Sequence, residues 1–552
     1  MSGTTFRPSD AVDFLVIGAG AAGGVMAKEL STAGFRVVVL EQGPYLTERD
    51  YSHDEIKYTY QPGLTNDPKV QPITYRKNES EQAKRLKVVE YGRQVGGGSV
   101  HFTANYWRFH ESDFEERRLF GEVAGAALAD WPIKYADLEP YYTKAEYDFG
   151  VSGLAGSNPF DGPRSKPYPL PPMPVKSSGV LFERAAKKLG LHPYPAPVAV
   201  LSKPYQGRAA CVHCGFCESF GCEMRAKSST LVSVIPTAEK TGRCEIRPNS
   251  YVRKIESDAH GRVTGAVYFD ANRREIFQRA KAVVLCANGA ETARLLLLSK
   301  SKRFPRGLAN SSGLVGKYLM WDNGGEALGL FEHPLNEYKS IVVTRVIHDY
   351  YRADPKRGFY GGGGIDARFD YYPASFALHG MPDGAPKWGL EYKKMLGQYF
   401  THTMALLAHS SSLPQERNNI SLDPDVKDTW GLPAIRVTYD AHPNDIAAMR
   451  WLLTKQVEVL EAAGAKKIWK TGISVEDMLP SRHLMGTCRM GNDPSQSVVN
   501  RNNRAHDIAN LLIVDGSSLV TAGRQQPTAT IQALAYRAAE YATQAAKRGE
   551  LG

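Results

Sequence analysis

At 552 residues, 42% hydrophobic and 23% charged, the chain has the balance of a soluble globular protein of two to four domains, taking roughly 150 residues for each. That excludes a disordered, collagenous or disulfide-stapled chain. Lys plus Arg exceed Asp plus Glu by 68 to 58, but the +10 is spread along the sequence rather than gathered in a stripe, so nucleic-acid binding is not indicated.

Phe14 to Ala27, the longest apolar candidate, is broken by four glycines and falls short of a bilayer span of about 18 residues. The first thirteen residues carry Asp10, Asp13 and one Arg and lack the pattern of a secretory signal. The chain is therefore expected in the cytoplasm, or outside it through a signal-bearing partner. Asp13 to Leu40 reads as one βαβ unit: Phe14-Leu-Val-Ile17, a turn with Gly18, Gly20 and Gly23, a helix through Leu30, and the strand Arg36-Val-Val-Val-Leu40. Asp137 is placed as the N-cap of a short amphipathic helix, and residues 154–174, rich in Pro and Gly, as a loop. "KAVVLCANGAETARLLLLS" predicts a buried strand turning into an apolar helix. Residues 330–440, dense in Tyr and Gly, predict a β-rich region, followed by a helix from Pro443 to Ala463-Gly464. "NLLIVDGSSL" returns to a strand, and a Pro527-Thr528 turn opens a helix to Lys547.

The three glycines between an apolar strand and a helix permit, in order, a tight turn, close approach of a pyrophosphate and close helix–strand contact. Glu41 follows the second strand, 23 positions after Gly18. An acid there bonds ribose hydroxyls and repels a 2′-phosphate, which indicates FAD or NAD rather than NADP. Cys211, Cys214, Cys217 and Cys222 are spaced as thiolates that could cage an iron-sulfur cluster of three or four irons. A structural zinc is the competing reading.

With these residues in place, "GRQVGGGSVHFTANYWRF" at 92–109, "DWPIKYADLEPYY" at 130–142, "SRHLMGTCRMG" at 481–491 and the C-terminal stretch 510–541 resemble the glucose-methanol-choline family of flavin oxidoreductases. The cysteine loop most resembles bacterial iron-sulfur sugar dehydrogenases, the catalytic subunits of FAD glucose dehydrogenase and glycoside 3-dehydrogenase. The resemblance implies an α/β fold: a Rossmann-like FAD-binding domain built from both chain ends (1–200, 227–325 and 479–552), a cysteine-rich loop at 201–226, and an inserted α+β substrate domain with an antiparallel sheet at 326–478.

It also implies His483 as the catalytic base and Gln526 at the second family position, usually His or Asn. Gln525 takes that role if the loop slips by one. Gly96, Gly97, Ser99, His101, Val252, Asp515, Gly516 and Thr528 are implied at the cofactor, His101 being the position of covalent FAD attachment in some members. The activity implied is dehydrogenation of a sugar or glycoside, with electrons passing through the cluster to a cytochrome and with a small companion subunit. A flavin oxidase with a structural zinc site and an idle FAD-binding scaffold are the alternatives.

Overall fold

The computed structural model describes residues 5–471 and 477–551; residues 472–476, at the end of the expected substrate-binding span, lie outside it. The eleven-residue strand Glu275–Leu285 joins two kinds of pairing. Its C-terminal half runs parallel between Val12–Ile17 and Leu511–Ile513, and its N-terminal half pairs antiparallel with Val263–Phe269, which in turn pairs with Tyr251–Ser257. Val37–Leu40 and Cys244–Arg247 extend the parallel side.

Val37–Leu40 is buried at all four positions, the pattern of a parallel strand covered on both faces. Helix Gly23–Thr32 lies against it and is backed by the C-terminal helix Thr528–Lys547. Gly18, at φ +95°, makes the turn between strand and helix; a Cβ there would stand 2.5 Å from the Cys286 carbonyl oxygen. One sheet is thus assembled from both ends of the chain, as the family resemblance implies.

A second, antiparallel sheet runs in the order Lys467–Lys470, Glu326–Leu330, Thr403–Ser411, Gly363–Arg368, Arg345–Ile347, Tyr194–Pro195, with Asp322–Asn323 on the end of Thr403–Ser411. Its edge strand comes from residues before 200. Along Thr403–Ser411 the side chains alternate: Met404, Leu406 and Ala408 bury against helix Pro443–Ala462 through Met449, Leu452 and Leu460. Leu407 and His409, on the opposite face, line a cavity instead. A third sheet pairs Asn419–Lys427 with Pro433–Thr438 and then, in parallel, with Ile73–Arg76, so the hairpin at 419–438 joins an N-terminal strand rather than the antiparallel sheet.

The expected Asp137 cap is displaced. Helix Tyr135–Phe149 has its N-cap at Lys134, three residues earlier, and the Asp137 carboxylate accepts the Lys134 N–H from the third helical position. The helices Pro443–Ala462 and Thr528–Lys547 match their expected bounds. No helix among the described residues is long and apolar enough to cross a membrane.

Candidate active site

A cavity of about 760 Å³ opens where the ends of the parallel strands meet the antiparallel sheet, within the roughly 300–1,000 Å³ typical of small-molecule sites. Gly18, Gly20, Glu41, Gly97, Ser99 and His101 line it from the N-terminal part of the chain, Val252 from the middle, and Asp515, Gly516 and Thr528 from the C-terminal part. Gly23 and Gly96 stand behind the wall. A Cβ at Gly23 would lie 1.8 Å from the Gly18 carbonyl oxygen, while the Gly96 N–H donates to the Ala19 carbonyl.

These residues fit a dinucleotide. At Gly20 a Cβ would meet only the Gly97 Cα, at 3.8 Å, so the bare backbone leaves open space rather than filling a contact. The Glu41 carboxylate accepts the N–H groups of Ala19, at 3.0 Å, and Gly43, at 2.9 Å, which ties the glycine turn to the end of the second strand. Burial pushes its pKa up to about 7, against the pull of those two bonds. Asp515 takes the Thr292 hydroxyl at 2.6 Å and the Asn288 and Ser517 N–H groups, holding the turn after strand Leu511–Ile513. Ser99 serves the scaffold, its hydroxyl donating to the Gly96 carbonyl and accepting the Thr230 N–H. His101 is buried, a state that with Arg482 nearby holds its pKa down near 3, and its Nε2 has no partner. Pro527 and Thr528 bring the N-terminus of the long C-terminal helix to the cavity wall, where its dipole favours negative charge.

His483 sits in the left-handed region at φ +54°, a conformation uncommon among non-glycine residues. Its Nδ1 lies 3.2 Å from Asp322 Oδ2, and its side chain is a third exposed at the cavity. The same Asp322 oxygen lies 3.2 Å from Nδ1 of His409, whose Nε2 is 2.8 Å from Asp366 Oδ2. Arg368 grips both oxygens of Asp366, at 2.7 and 2.6 Å. Burial works against the ionised carboxylate of Asp322, but His409 and His483 outweigh it and hold its pKa near 2. Burial likewise disfavours the imidazolium of His409, yet Asp322 and Asp366 raise its pKa to about 9.

Gln526 lines the cavity beside His409, whereas the Gln525 amide donates to the Arg108 carbonyl in the interior. Of the two glutamines, it is thus Gln526 that reaches the cavity. Sequence reasoning missed Asp322, His409, Asp366 and Arg368, which lie on three strands far apart in the chain. Asp366 and Arg368 alternate on one strand with small and apolar neighbours, and this charged-in-strand pattern was the available signal. Tyr360, Tyr371 and Tyr372, from the Tyr-rich stretch, give their hydroxyls to Glu116, Glu326 and the Glu218 carbonyl and behave as structural tyrosines.

The cysteine quartet departs from expectation. Among the described residues no three His, Cys, Asp or Glu side chains stand together as ligands of one ion. The loop spreads its thiols from the surface to the interior: Cys214 is exposed, Cys211 and Cys222 are half-buried and Cys217 is buried. As folded, the four do not form the cage that their spacing suggested. The remaining cysteines, Cys244, Cys286 and Cys488, are buried.

The GMC oxidoreductase family models match residues 12–320 and 414–535. Over 97% of this chain and 95% of its own length, 2-methyl-1,2-propanediol dehydrogenase of Mycolicibacterium austroafricanum is 35% identical. The gluconate 2-dehydrogenase flavoprotein of Pantoea cypripedii is 30% identical over 96% and 93%, and the fructose dehydrogenase large subunit of Gluconobacter japonicus 30% identical over 97% and 98%. Among solved structures, pyridoxine 4-oxidase from Mesorbium loti superposes with a TM-score of 0.65 at 18% identity, covering 96% of this chain and 99% of its own. Together with a dinucleotide cavity built from both chain ends, these matches show that the chain belongs to the GMC oxidoreductase family of FAD-dependent enzymes.

Proposed function

We propose that this flavoprotein is a dehydrogenase that oxidises a hydroxyl group of a sugar, glycoside or related polyol, at a secondary carbon to a ketone or at C1 to a lactone, and delivers its electrons to a protein acceptor. The observation that carries the reading is the Asp322–His483 pair at the cavity. With Nδ1–H directed at the carboxylate, His483 is held in the tautomer whose Nε2 lone pair is free to take a hydroxyl proton. Gln526 contributes a hydrogen bond to the same oxygen, and Asp322 steadies the imidazolium that forms. FAD, held by the glycine turn, Glu41, Asp515 and the helix opening at Thr528, would supply the two-electron acceptor for the hydride leaving that carbon.

The relatives named above act on a diol, a sugar acid and a ketose, and one of them is named as a large subunit; a polyhydroxy substrate and a companion subunit are therefore proposed here. The cysteine loop is proposed as the way out for electrons, with an iron-sulfur cluster as its cofactor and a cytochrome as acceptor. Two features support this. The loop abuts the site: the Ser219 N–H donates to the His101 carbonyl, and Glu218 pairs with Arg482, the neighbour of His483. In addition, the buried ammonium of Lys227 bonds the carbonyls of Cys217, Phe220 and Phe102 and, among the described residues, pairs with no carboxylate. Negative charge on the neighbouring sulfurs would offset it.

A second reading, an oxidase that returns electrons to oxygen and carries at most a structural zinc, is favoured because, among the described residues, no three metal-ligating side chains stand together around one ion. Anaerobic stopped-flow mixing with a panel of D-fructose, D-gluconate, methyl glucoside and 2-methyl-1,2-propanediol tests the chemistry. Bleaching of the flavin by at least one of them is expected; none reducing it would refute the dehydrogenase. Iron with acid-labile sulfide and cytochrome reduction would support the cluster. Zinc without sulfide, together with oxygen consumption, would support the oxidase.

A further inference from the structure

His409 is a buried histidine between two carboxylates, on a central strand of the antiparallel sheet. Its ring nitrogens lie 3.2 Å from Asp322 Oδ2 and 2.8 Å from Asp366 Oδ2. An ionised carboxylate only accepts hydrogen bonds, so each ring nitrogen must bring a proton. Both carboxylates are held ionised from their other sides, Asp366 by the two-pronged grip of Arg368 and Asp322 by His483. The ring therefore exists as an imidazolium. The other groups facing it are Trp107, edge-on at 5.5 Å, and the Arg368 guanidinium, 3.2 Å from Nε2, which shares the Asp366 oxygen with it. His348, beyond the ring, is held well below the ordinary imidazole pKa by burial and is neutral.

Gln526 meets this cation with its amide nitrogen, 3.0 Å from Nε2 and 3.3 Å from Nδ1, while its amide oxygen is buried without a partner. A donor facing two nitrogens that have already committed their protons is the wrong end of the group. Amide oxygen and nitrogen have nearly the same shape, and their assignment follows the hydrogen-bond network. Turned end for end, the oxygen rests against the imidazolium and the NH₂ takes the unpartnered place.

We propose that His409 is a positioning residue: its imidazolium, clamped by Asp322 and Asp366, fixes the Gln526 amide with its oxygen against the ring. Through Asp322 the same ring also fixes the carboxylate that orients His483. Two residues of the cavity wall, His483 and Gln526, are thus set by a single buried cation. The inference rests on the proposed alcohol oxidation for its kinetic consequence, but the proton and amide arrangement stands apart from it.

Neutron diffraction from deuterated crystals of the FAD-loaded protein at pH 7 reads the arrangement directly. Deuterium on both ring nitrogens of His409 and the Gln526 oxygen toward the ring are expected; a bare ring nitrogen, or the ND₂ group facing His409, overturns the proposal. The second arm uses His409→Gln. Flavin reduction by the panel alcohol should slow about ten- to a hundredfold, the worth of one or two hydrogen bonds to a charged group, with little change in the substrate concentration giving half the maximal rate. The wild-type rate should also fall above about pH 9, as His409 loses its second proton, and this fall should be missing from the variant. An alkaline fall that survives in His409→Gln would overturn the proposal. If no panel alcohol reduces the flavin, it is the proposed function that fails, and the neutron result still decides the role of His409.

Discussion

Asp322→Asn removes one charge from the centre of the site while keeping the shape of the side chain. With its pKa held near 2 against the ordinary 3.8, the fold favours the ionised Asp322 by a net of about 2.5 kcal/mol, its partners' pull less the cost of burial, at 1.36 kcal/mol for each tenfold. A carboxyl with a lowered pKa contributes its stability above the unfolded value and loses it as pH falls through the folded one. The variant should therefore be about 2–3 kcal/mol less stable at pH 7, and the deficit should shrink between about pH 4 and pH 2. The effect on rate should be larger than on stability. An asparagine can turn its NH₂ toward His483 and force the proton onto Nε2, and it no longer stabilises the imidazolium; loss of the orienting carboxylate in a comparable His–Asp pair costs up to about ten-thousandfold. Urea titration at pH 7, FAD content and anaerobic flavin bleaching with the best panel alcohol measure the three quantities on one preparation. A variant that keeps its FAD and reduces it within about threefold of wild type would show that Asp322 does not orient the base.

His483→Ala should retain FAD and slow flavin reduction by at least about a hundredfold, while Gln526→Ala, which loses a hydrogen bond and not the base, should slow it by about tenfold; equal losses in single-turnover reduction would refute this division of roles. Gly20→Ala should fold normally and lose most of its FAD, because its methyl group enters open space, whereas Gly23→Ala, with its methyl group 1.8 Å from a carbonyl oxygen, should fail to fold; circular dichroism and flavin content of the two separate a cofactor wall from a structural contact. Glu41, raised by burial to about 7, keeps its proton in the folded state after the unfolded chain has lost it at 4.5. The FAD-free protein should therefore lose about 3 kcal/mol as pH rises from 4.5 to 7, and Glu41→Gln should flatten that slope in urea midpoints taken across the range.

The elements legible in the sequence were those whose chemistry is local. Gly18, Gly23 and Glu41 lie within one strand–turn–strand stretch, so their spacing alone reveals the turn and the acid. Thr528 follows a proline and opens an alanine-rich run, which marks a helix start without reference to anything else. The proton network was not legible, because its members meet only through strand pairing. Asp322 reaches His409 by pairing of Asp322–Asn323 with Ser410 and Ser411, and Asp366 reaches it diagonally across the pairing of Gly364 with His409. Nothing near His409 in sequence distinguishes it from any other histidine in an apolar strand. The cysteine loop is a different case: close spacing suggested convergence on one ion, and among the described residues no three ligands stand together around one, in a loop whose His213, Gly215 and Ser219 are left-handed.

Strand Glu275–Leu285 has neighbours drawn from residues 12–17 and 511–513, and this separation sets a timetable for biosynthesis. At about 5–20 residues per second, the first strand waits tens of seconds for its partner near residue 280 and longer still before residues 511–547 emerge to complete the sheet and the cavity wall. During that interval Val283 and Val284 present an unpaired apolar edge, the kind of surface that chaperones bind and that aggregates when they are scarce. The flavin site is incomplete until residues 511–547 have been made, so cofactor insertion must wait for them. Cells short of riboflavin should therefore accumulate a full-length chain with an unfilled cavity rather than a truncated folding intermediate.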